Sequence, residues 1–191
     1  GDSHSAGAEL IKDYCFANDD QRYVYLGRTP HPEAIPKTFG SHLAHALNAG
    51  YFLDAESASS NYRILRTTKQ FLEEKYNTTK TIIIGWSTWE REELWHKDRY
   101  YQLTASGSDS VPDELFDTYQ SWVMEQTEDN LRVKQKYWHK QIYDFHKELQ
   151  KQSIKHLFFN SMQPFNEKWT GKLEDFTHVL KKIPKLPLDN G

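Results

Sequence analysis

Two short stretches, one at each end of the sequence, hold residue types that together can do acyl-transfer chemistry. The first is Gly1-Asp2-Ser3-His4-Ser5-Ala6-Gly7. A serine hydroxyl becomes a nucleophile when a nearby base takes its proton, and the oxyanion that its attack creates needs N–H donors. A tight turn leading into a helix supplies such donors, because the first helical N–H groups are unpaired and lie at the positive end of the dipole. The small residues at positions 1, 3, 5, 6 and 7 permit that turn, and Ala8 to Tyr14 reads as the start of the helix, within a segment 8–17. In this strand–turn–helix arrangement an apolar strand delivers the nucleophile. The sequence given starts at the turn itself, so either that strand belongs to residues ahead of those given or another segment holds Ser3 in place.

The second stretch is Asp175-Phe176-Thr177-His178. One helical turn or a tight loop brings residues three apart to the same side. Asp175 is then able to hold one imidazole nitrogen of His178 while the other faces the serine. The plainer reading is two polar residues on an amphipathic helix. The presence of both stretches in one chain favours the catalytic reading.

Gly-Asp-Ser followed by a small residue and a glycine resembles the first block of the SGNH (GDSL-type) hydrolases, and Asp-x-x-His resembles their last. Between them, Gly85-Trp86-Ser87-Thr88 follows the apolar run Thr81-Ile82-Ile83-Ile84, where the family has Gly-x-Asn-Asp; Ser87 stands in the asparagine position. Ser57-Ala58-Ser59-Ser60-Asn61, after Tyr51 to Asp54, occupies the slot of the second block. Together with Arg63-Ile64 and Glu90-Arg91-Glu92, the order of blocks looks like a divergent branch of the kind found in phage and bacterial genomes. The resemblance implies a serine esterase in which Ser3 attacks, His178 takes the proton and Asp175 orients His178. It implies an oxyanion hole built from the Ser3 N–H, Asn61 and Ser87, and no metal or organic cofactor. The substrate it implies is a small ester or an acylated glycan, with acyl or O-acetyl groups removed from a carbohydrate. Serine for asparagine at position 87 implies a slow or specialised enzyme. It keeps open a second reading, a catalytically weak binding or structural protein on the same fold, such as a virion component. A metallophosphoesterase, suggested by Asp2-x-His4, lacks its later Gly-Asp and Gly-Asn-His blocks.

The bulk numbers agree with one domain over residues 1–191. Twenty-four basic and 27 acidic residues leave a net charge of −3, no electrostatic footprint for nucleic acid or an anionic membrane. The single Cys15 excludes an internal disulfide and a cysteine-rich zinc site. No signal peptide or membrane span is visible, so the expected location is the cytoplasm or a virion, with self-association or virion assembly as possible partnerships.

The elements that must position these residues follow from periodicity. Strands are expected at 51–54, at 81–84 and at 154–160, with 23–27 a strand or packed loop. Helices are expected at 39–47, 61–76, after Ser110, and at 128–151. Strand–helix–strand alternation predicts an α/β fold, a three-layer αβα sandwich around a central, mainly parallel sheet of the flavodoxin-like kind. The last two long helices form a helical hairpin inserted at about 110–151. Residues 86–106 read as an excursion or short hairpin beside the carboxyl ends of the strands, where α/β folds bind ligands. There Trp86, Trp89 and Arg91 are candidate substrate-binding residues, the alternative being that the tryptophans cover the core. Glu90 and Arg91 read as an ion pair, Asn48-Ala49-Gly50 as a glycine-capped helix end, His42 and His45 as a solvated face, and His139 and His146 as half-exposed.

Overall fold

The computed structural model describes residues 1–7, 10, 30–79, 81–105 and 111–161. The segments 8–17 and 23–27, Cys15, Asp175 and His178 lie outside the described residues, apart from Leu10. The described elements are α1 (Ser3–Ala6), α2 (Phe39–Ala46), α3 (Asn61–Lys75), β1 (Thr81–Trp86), β2 (Glu92–His96), β3 (Arg99–Leu103), α4 (Phe116–Met124), α5 (Glu128–Lys151) and β4 (Lys155–Asn160). This is a mixed α/β chain.

Two strand pairs organise it. β1 runs parallel to β4, Thr81 opposite Lys155 through Trp86 opposite Asn160. β2 and β3 form an antiparallel hairpin. Its two-residue turn has Lys97 at φ 45° and Asp98 at φ 63°, the double left-handed geometry that matches the twist of hairpin strands. Residues 51–54, expected as a strand, carry none of the assigned ladders. Their run is too short and too closely followed by polar residues to build one alone.

The main core lies between the parallel pair and α5. Trp138, Ile142, Phe145 and Leu149 recur at helical spacing, and all are buried. They meet Ile82, Ile84, Trp86 and Phe158 of the strands and Ile64 and Leu72 of α3. Phe145 stacks on Phe158 with centroids 6.0 Å apart, and Trp86 meets the same ring edge-on at 5.3 Å. Thr127 caps α5 by accepting the Asn130 N–H, and Glu128 and Asp129 sit in its first turn, where the dipole favours acid. A smaller cluster joins Leu103 of the hairpin to Val111, Tyr119 and Trp122.

The structure corrects the expected surface of α5. His139 and His146 are buried, not half-exposed. The ring of His139 stands edge-on to Trp89, with centroids 5.0 Å apart. His146 Nδ1 lies 2.6 Å from His156 Nε2, and His156 Nδ1 lies 2.8 Å from the Ile154 carbonyl. A carbonyl only accepts, so His156 Nδ1 carries a proton, and the neutral pair requires His146 Nδ1 to donate. The helix before residue 51 also ends differently. Asn48 takes the left-handed conformation at φ 47°, and Gly50 does not. His42 and His45 are exposed.

Burial holds the His139 imidazole down to about 4, against an ordinary 6.5. Between those two values the unfolded chain binds more protons than the folded one. The stability contributed by neutral His139 is therefore complete above pH 6.5 and is lost as pH falls towards 4. Urea titrations at pH 7 and pH 4.5 are expected to show a loss on the order of 2 kcal/mol from this residue. Each tenfold difference in proton affinity between folded and unfolded chain is worth about 1.4 kcal/mol, and water screens part of it. A His139→Phe chain is expected to lose less over the same interval; an identical slope in both chains would remove His139 as the cause.

Candidate functional site

The Gly-Asp-Ser segment is anchored by backbone pairing. The nitrogen of Gly1 donates to the Asp54 carbonyl at 3.1 Å, and the Glu56 N–H donates to the Gly1 carbonyl at 3.1 Å. One residue bonding both neighbours of Ala55 is the pattern of a parallel ladder. Ser3 then opens α1, a single turn closed by Ala6 N–H to Asp2 O at 2.9 Å. Asp2 is almost fully buried and accepts the Ser5 N–H at 3.3 Å through Oδ1, an N-terminal cap. Its Oδ2 lies 3.7 Å from His4 Nδ1. Gly7 leaves the turn at φ +72°, a conformation glycine adopts without a Cβ penalty. Thus Asp2 shapes the turn that contains Ser3, while His4 is exposed.

The loop before α3 reverses at Ala58, whose φ of 62° is unusual for a residue with a Cβ. Ser59, Ser60 and Asn61 are fully buried behind it. The Ser60 N–H donates to Gln102 Oε1 at 2.9 Å, and Gln102 Nε2 donates to Glu93 Oε1 at 3.0 Å. Glu93 in turn receives Arg66 Nε at 3.0 Å and Nη2 at 2.6 Å. A side-chain relay from the hairpin therefore fixes the backbone of this loop. On its other flank Arg63 grips Asp54 at 2.7 Å and Glu56 at 2.6 Å, the residues that pair with Gly1.

Asn61 joins this loop to the end of β1. Its Oδ1 accepts the Ser87 N–H at 2.7 Å, and its Nδ2 donates to the carbonyls of Ser87 at 3.1 Å and Thr88 at 3.4 Å. The carboxamide is thereby committed to backbone, which makes Asn61 a clamp rather than a free oxyanion donor. Ser87 is buried, and its Oγ accepts Arg91 Nη1 at 3.0 Å. Arg91 thus braces Ser87 instead of forming the expected ion pair with Glu90. Trp86 and Trp89 are buried in the main core, so they cover it and do not line an open wall. Trp95 is the exposed tryptophan of this region and packs on Tyr100, centroids 4.6 Å apart.

The sequence reading missed several polar groups at the same edge. Buried Ser59 Oγ, Thr88 Oγ1, Ser161 Oγ and both carboxamide atoms of Asn160 have no hydrogen-bond partner among the described residues. Asn160 pairs with Trp86 across the strands, and the Ser161 N–H donates to the Trp86 carbonyl at 3.0 Å. Thr88 follows the carboxyl end of β1, Asn160 and Ser161 end β4, and Ser59 lies in the loop before α3. The signal was present as Asn160-Ser161 directly after the apolar Leu157-Phe158-Phe159. Among the described residues no group of three His, Cys, Asp or Glu is placed to hold a metal ion. The structure brings together Gly1–Ser3, Ser59–Asn61 and Ser87–Arg91 through the hydrogen bonds above; Asp175 and His178 lie outside the described residues. No protein-family model matches the chain, and no curated protein or solved structure matches it at a significant level.

Removing the clamp is expected to be costly. Asn61→Ala strands the buried Ser87 N–H and carbonyl, each worth about 1–3 kcal/mol when left unpaired. Urea denaturation is expected to show a loss on the order of 3 kcal/mol. Asn61→Asp keeps the acceptor for Ser87 N–H but loses the donor, and is expected to fall between. Wild-type stability in Asn61→Ala would show that water replaces the carboxamide.

Proposed function

We propose that the chain is a serine hydrolase of the SGNH type that cleaves an ester, removing an acyl or O-acetyl group from a small ester or an acylated glycan. Ser3 attacks the acyl carbon, and His178 takes its proton, held in the right tautomer by Asp175. His178 then returns the proton to the leaving alcohol as the tetrahedral adduct collapses to an acyl-serine. Water, activated by the same histidine, releases the acid and restores Ser3. The backbone N–H of Ser3 is one oxyanion donor in this reading, with further donors from the loops that end at Asn61 and Ser87.

One observation carries the reading. The Gly-Asp-Ser turn, the loop before α3 and the loop after β1 are tied to one another by direct hydrogen bonds, in the order the family's blocks require. The fold that goes with it is a three-layer αβα sandwich holding β1 and β4 in a mainly parallel central sheet. Phe158 and Phe159 are successive and so face opposite sides of β4. Phe158 stacks on Phe145 of α5, and Phe159 meets Phe39 of α2 edge-on at 6.2 Å. These two ring contacts, one to each side of β4, support the layered reading. The location that fits is the cytoplasm or a virion. Among the described residues no helix is long and apolar enough to cross a membrane.

A second reading, a weakly active or inactive binding or virion protein on this fold, is favoured by the state of Asn61 and Ser87. Both are engaged in bracing the loop, which leaves fewer side-chain donors for an oxyanion. Labelling with a fluorophosphonate probe separates the two. The hydrolase is expected to label at Ser3, and Ser3→Ala and His178→Ala are each expected to lose ~10³-fold or more in p-nitrophenyl acetate hydrolysis. Freshly folded protein that takes up no probe would leave the binding reading.

A further inference from the structure

The hairpin of β2 and β3 has two unlike faces. Along a strand, residues two apart share a face, and so do residues directly opposite each other. Leu94 and Leu103 face the small apolar cluster with Tyr119 and Trp122 of α4. Glu93 and Trp95 point the other way, together with their cross-strand partners Gln102 and Tyr100. On this second face Trp95 and Tyr100 form an aromatic pair, inclined at 60° with centroids 4.6 Å apart. Both stay open to solvent, Trp95 at 54% and Tyr100 at 39%. The other tryptophans among the described residues, Trp86, Trp89, Trp122 and Trp138, are buried.

The polar groups beside the rings are arranged around Arg66 of α3. Its guanidinium carbon lies 3.9 Å from the centroid of Tyr100. The same group holds Glu93 through Nε and Nη2, and its Nη1 donates to Gln70 Oε1 at 3.3 Å. The cations of the hairpin turn go to the opposite face. Lys97 pairs with Glu114, and Arg99 lies over Tyr101, 4.6 Å from its centroid. The charges nearest the two rings are thus paired, and the rings are edged by N–H donors and a carboxamide. The pair Glu93 and Gln102 lies about 7 Å further along the same face. There Gln102 Oε1 accepts the Ser60 N–H, next to Asn61 of the candidate site. One row of side chains therefore leads from the rings to the loops tied to the Gly-Asp-Ser turn.

We propose that Trp95 and Tyr100 are a platform for a neutral sugar of the glycan from which the candidate site removes an acyl group. A pyranose ring lies flat against Trp95 with its hydroxyls at Arg66 and Gln70, and the glycan runs along the hairpin towards Ser60. This deepens the acylated-glycan reading and rests on it. An aromatic ring has a negative face, and the C–H groups of a sugar are its weakly positive partners. Hydroxyls both donate and accept, so an edge of N–H groups and carboxamide matches them without needing a net charge. An open pair of rings suits a chain that passes across it, whereas a small apolar ligand needs a concave site. A stable protein partner needs roughly 800 Å² of face, far more than two rings beside the charged turn Lys97-Asp98-Arg99 offer.

Binding is read on the full chain from the indole N–H signals of a nitrogen–proton correlation spectrum, with Trp95 assigned by the signal that Trp95→Phe removes. The probes are unacylated tetrasaccharides of cellulose, xylan, mannan and chitin, with tetragalacturonate as the acidic control, so no turnover is needed. At least one neutral probe is expected to shift the Trp95 signal with a Kd on the order of 1 mM, and Trp95→Ala to weaken that binding about tenfold, the worth of one stacked ring. Trp95→Phe, which keeps a smaller ring, is expected to fall between. No shift at Trp95 with any neutral probe, tighter binding of tetragalacturonate, or unchanged affinity in Trp95→Ala would each overturn the proposal. So would a Trp95 signal that broadens with protein concentration alone, which marks the face as a contact between copies of this chain. The hydrolase reading fails separately. A chain that binds the sugar at Trp95 but takes no fluorophosphonate at Ser3 keeps the platform and loses the enzyme; one that labels at Ser3 without the shift keeps the enzyme and loses the platform.

Discussion

The carboxamide of Asn61 is the interaction on which the described structure depends. It is fully buried and bonds the backbone of residues 87 and 88 three times. Without it, the loop before α3 and the loop after β1 would each carry backbone groups with no water to turn to. With it, the amino end of α3 and the carboxyl end of β1 become one rigid corner. An amide suits the task because it donates and accepts in one plane, as a peptide does. Serine or aspartate in the same place would satisfy only part of the demand.

Other contacts extend that corner in two directions. Towards the start of the chain, Arg63 binds Asp54 and Glu56, and those residues carry Gly1 by backbone pairing. The guanidinium's fork fits two carboxylates at once, and partial burial makes the pair stronger than a surface one. Towards the hairpin, Gln102 and Glu93 hold the Ser60 N–H, with Arg66 closing the relay. Each member is largely satisfied by the next, which is the condition under which a buried polar network rigidifies rather than destabilises. The apolar core of α5 against β1 and β4 supplies the bulk of the driving force. The polar corner chooses which loops meet at its edge.

Much of the fold was legible in sequence because it is local. The stripe of α5, the two strands of the parallel pair and the hairpin excursion follow from spacings of 3.6 and 2 and from turn chemistry. The candidate site was legible less evenly. Ser3 and Asn61 stand out as polar residues after small or extended runs. Gln102 did not, because nothing about its immediate neighbours distinguishes a polar side chain turned inward from one turned to water; for Asn160 and Ser161 the one signal was their place directly after an apolar run. Trp86 and Trp89 misled for the opposite reason. Aromatic clusters near a strand end suit a ligand wall and a core equally, and only the position of α5 makes them core.

By itself the sequence determined where the long helices and the parallel strand pair form, since periodicity and caps act between residues a few positions apart; the strand it also suggested at 51–54 is not among the assigned ladders. It also placed the hydroxyl, imidazole and carboxylate types that acyl chemistry needs. Only the tertiary structure decided which faces are covered. His139 and His146 lie on the same helix as many solvated residues, and burial came to them from Trp89 and His156, the latter on another strand. Likewise the two backbone bonds of Gly1, to Asp54 and from Glu56, join residues far apart in the chain. Such contacts depend on loop closure and on the competition of many surfaces for one core, and no window of neighbouring residues contains that information.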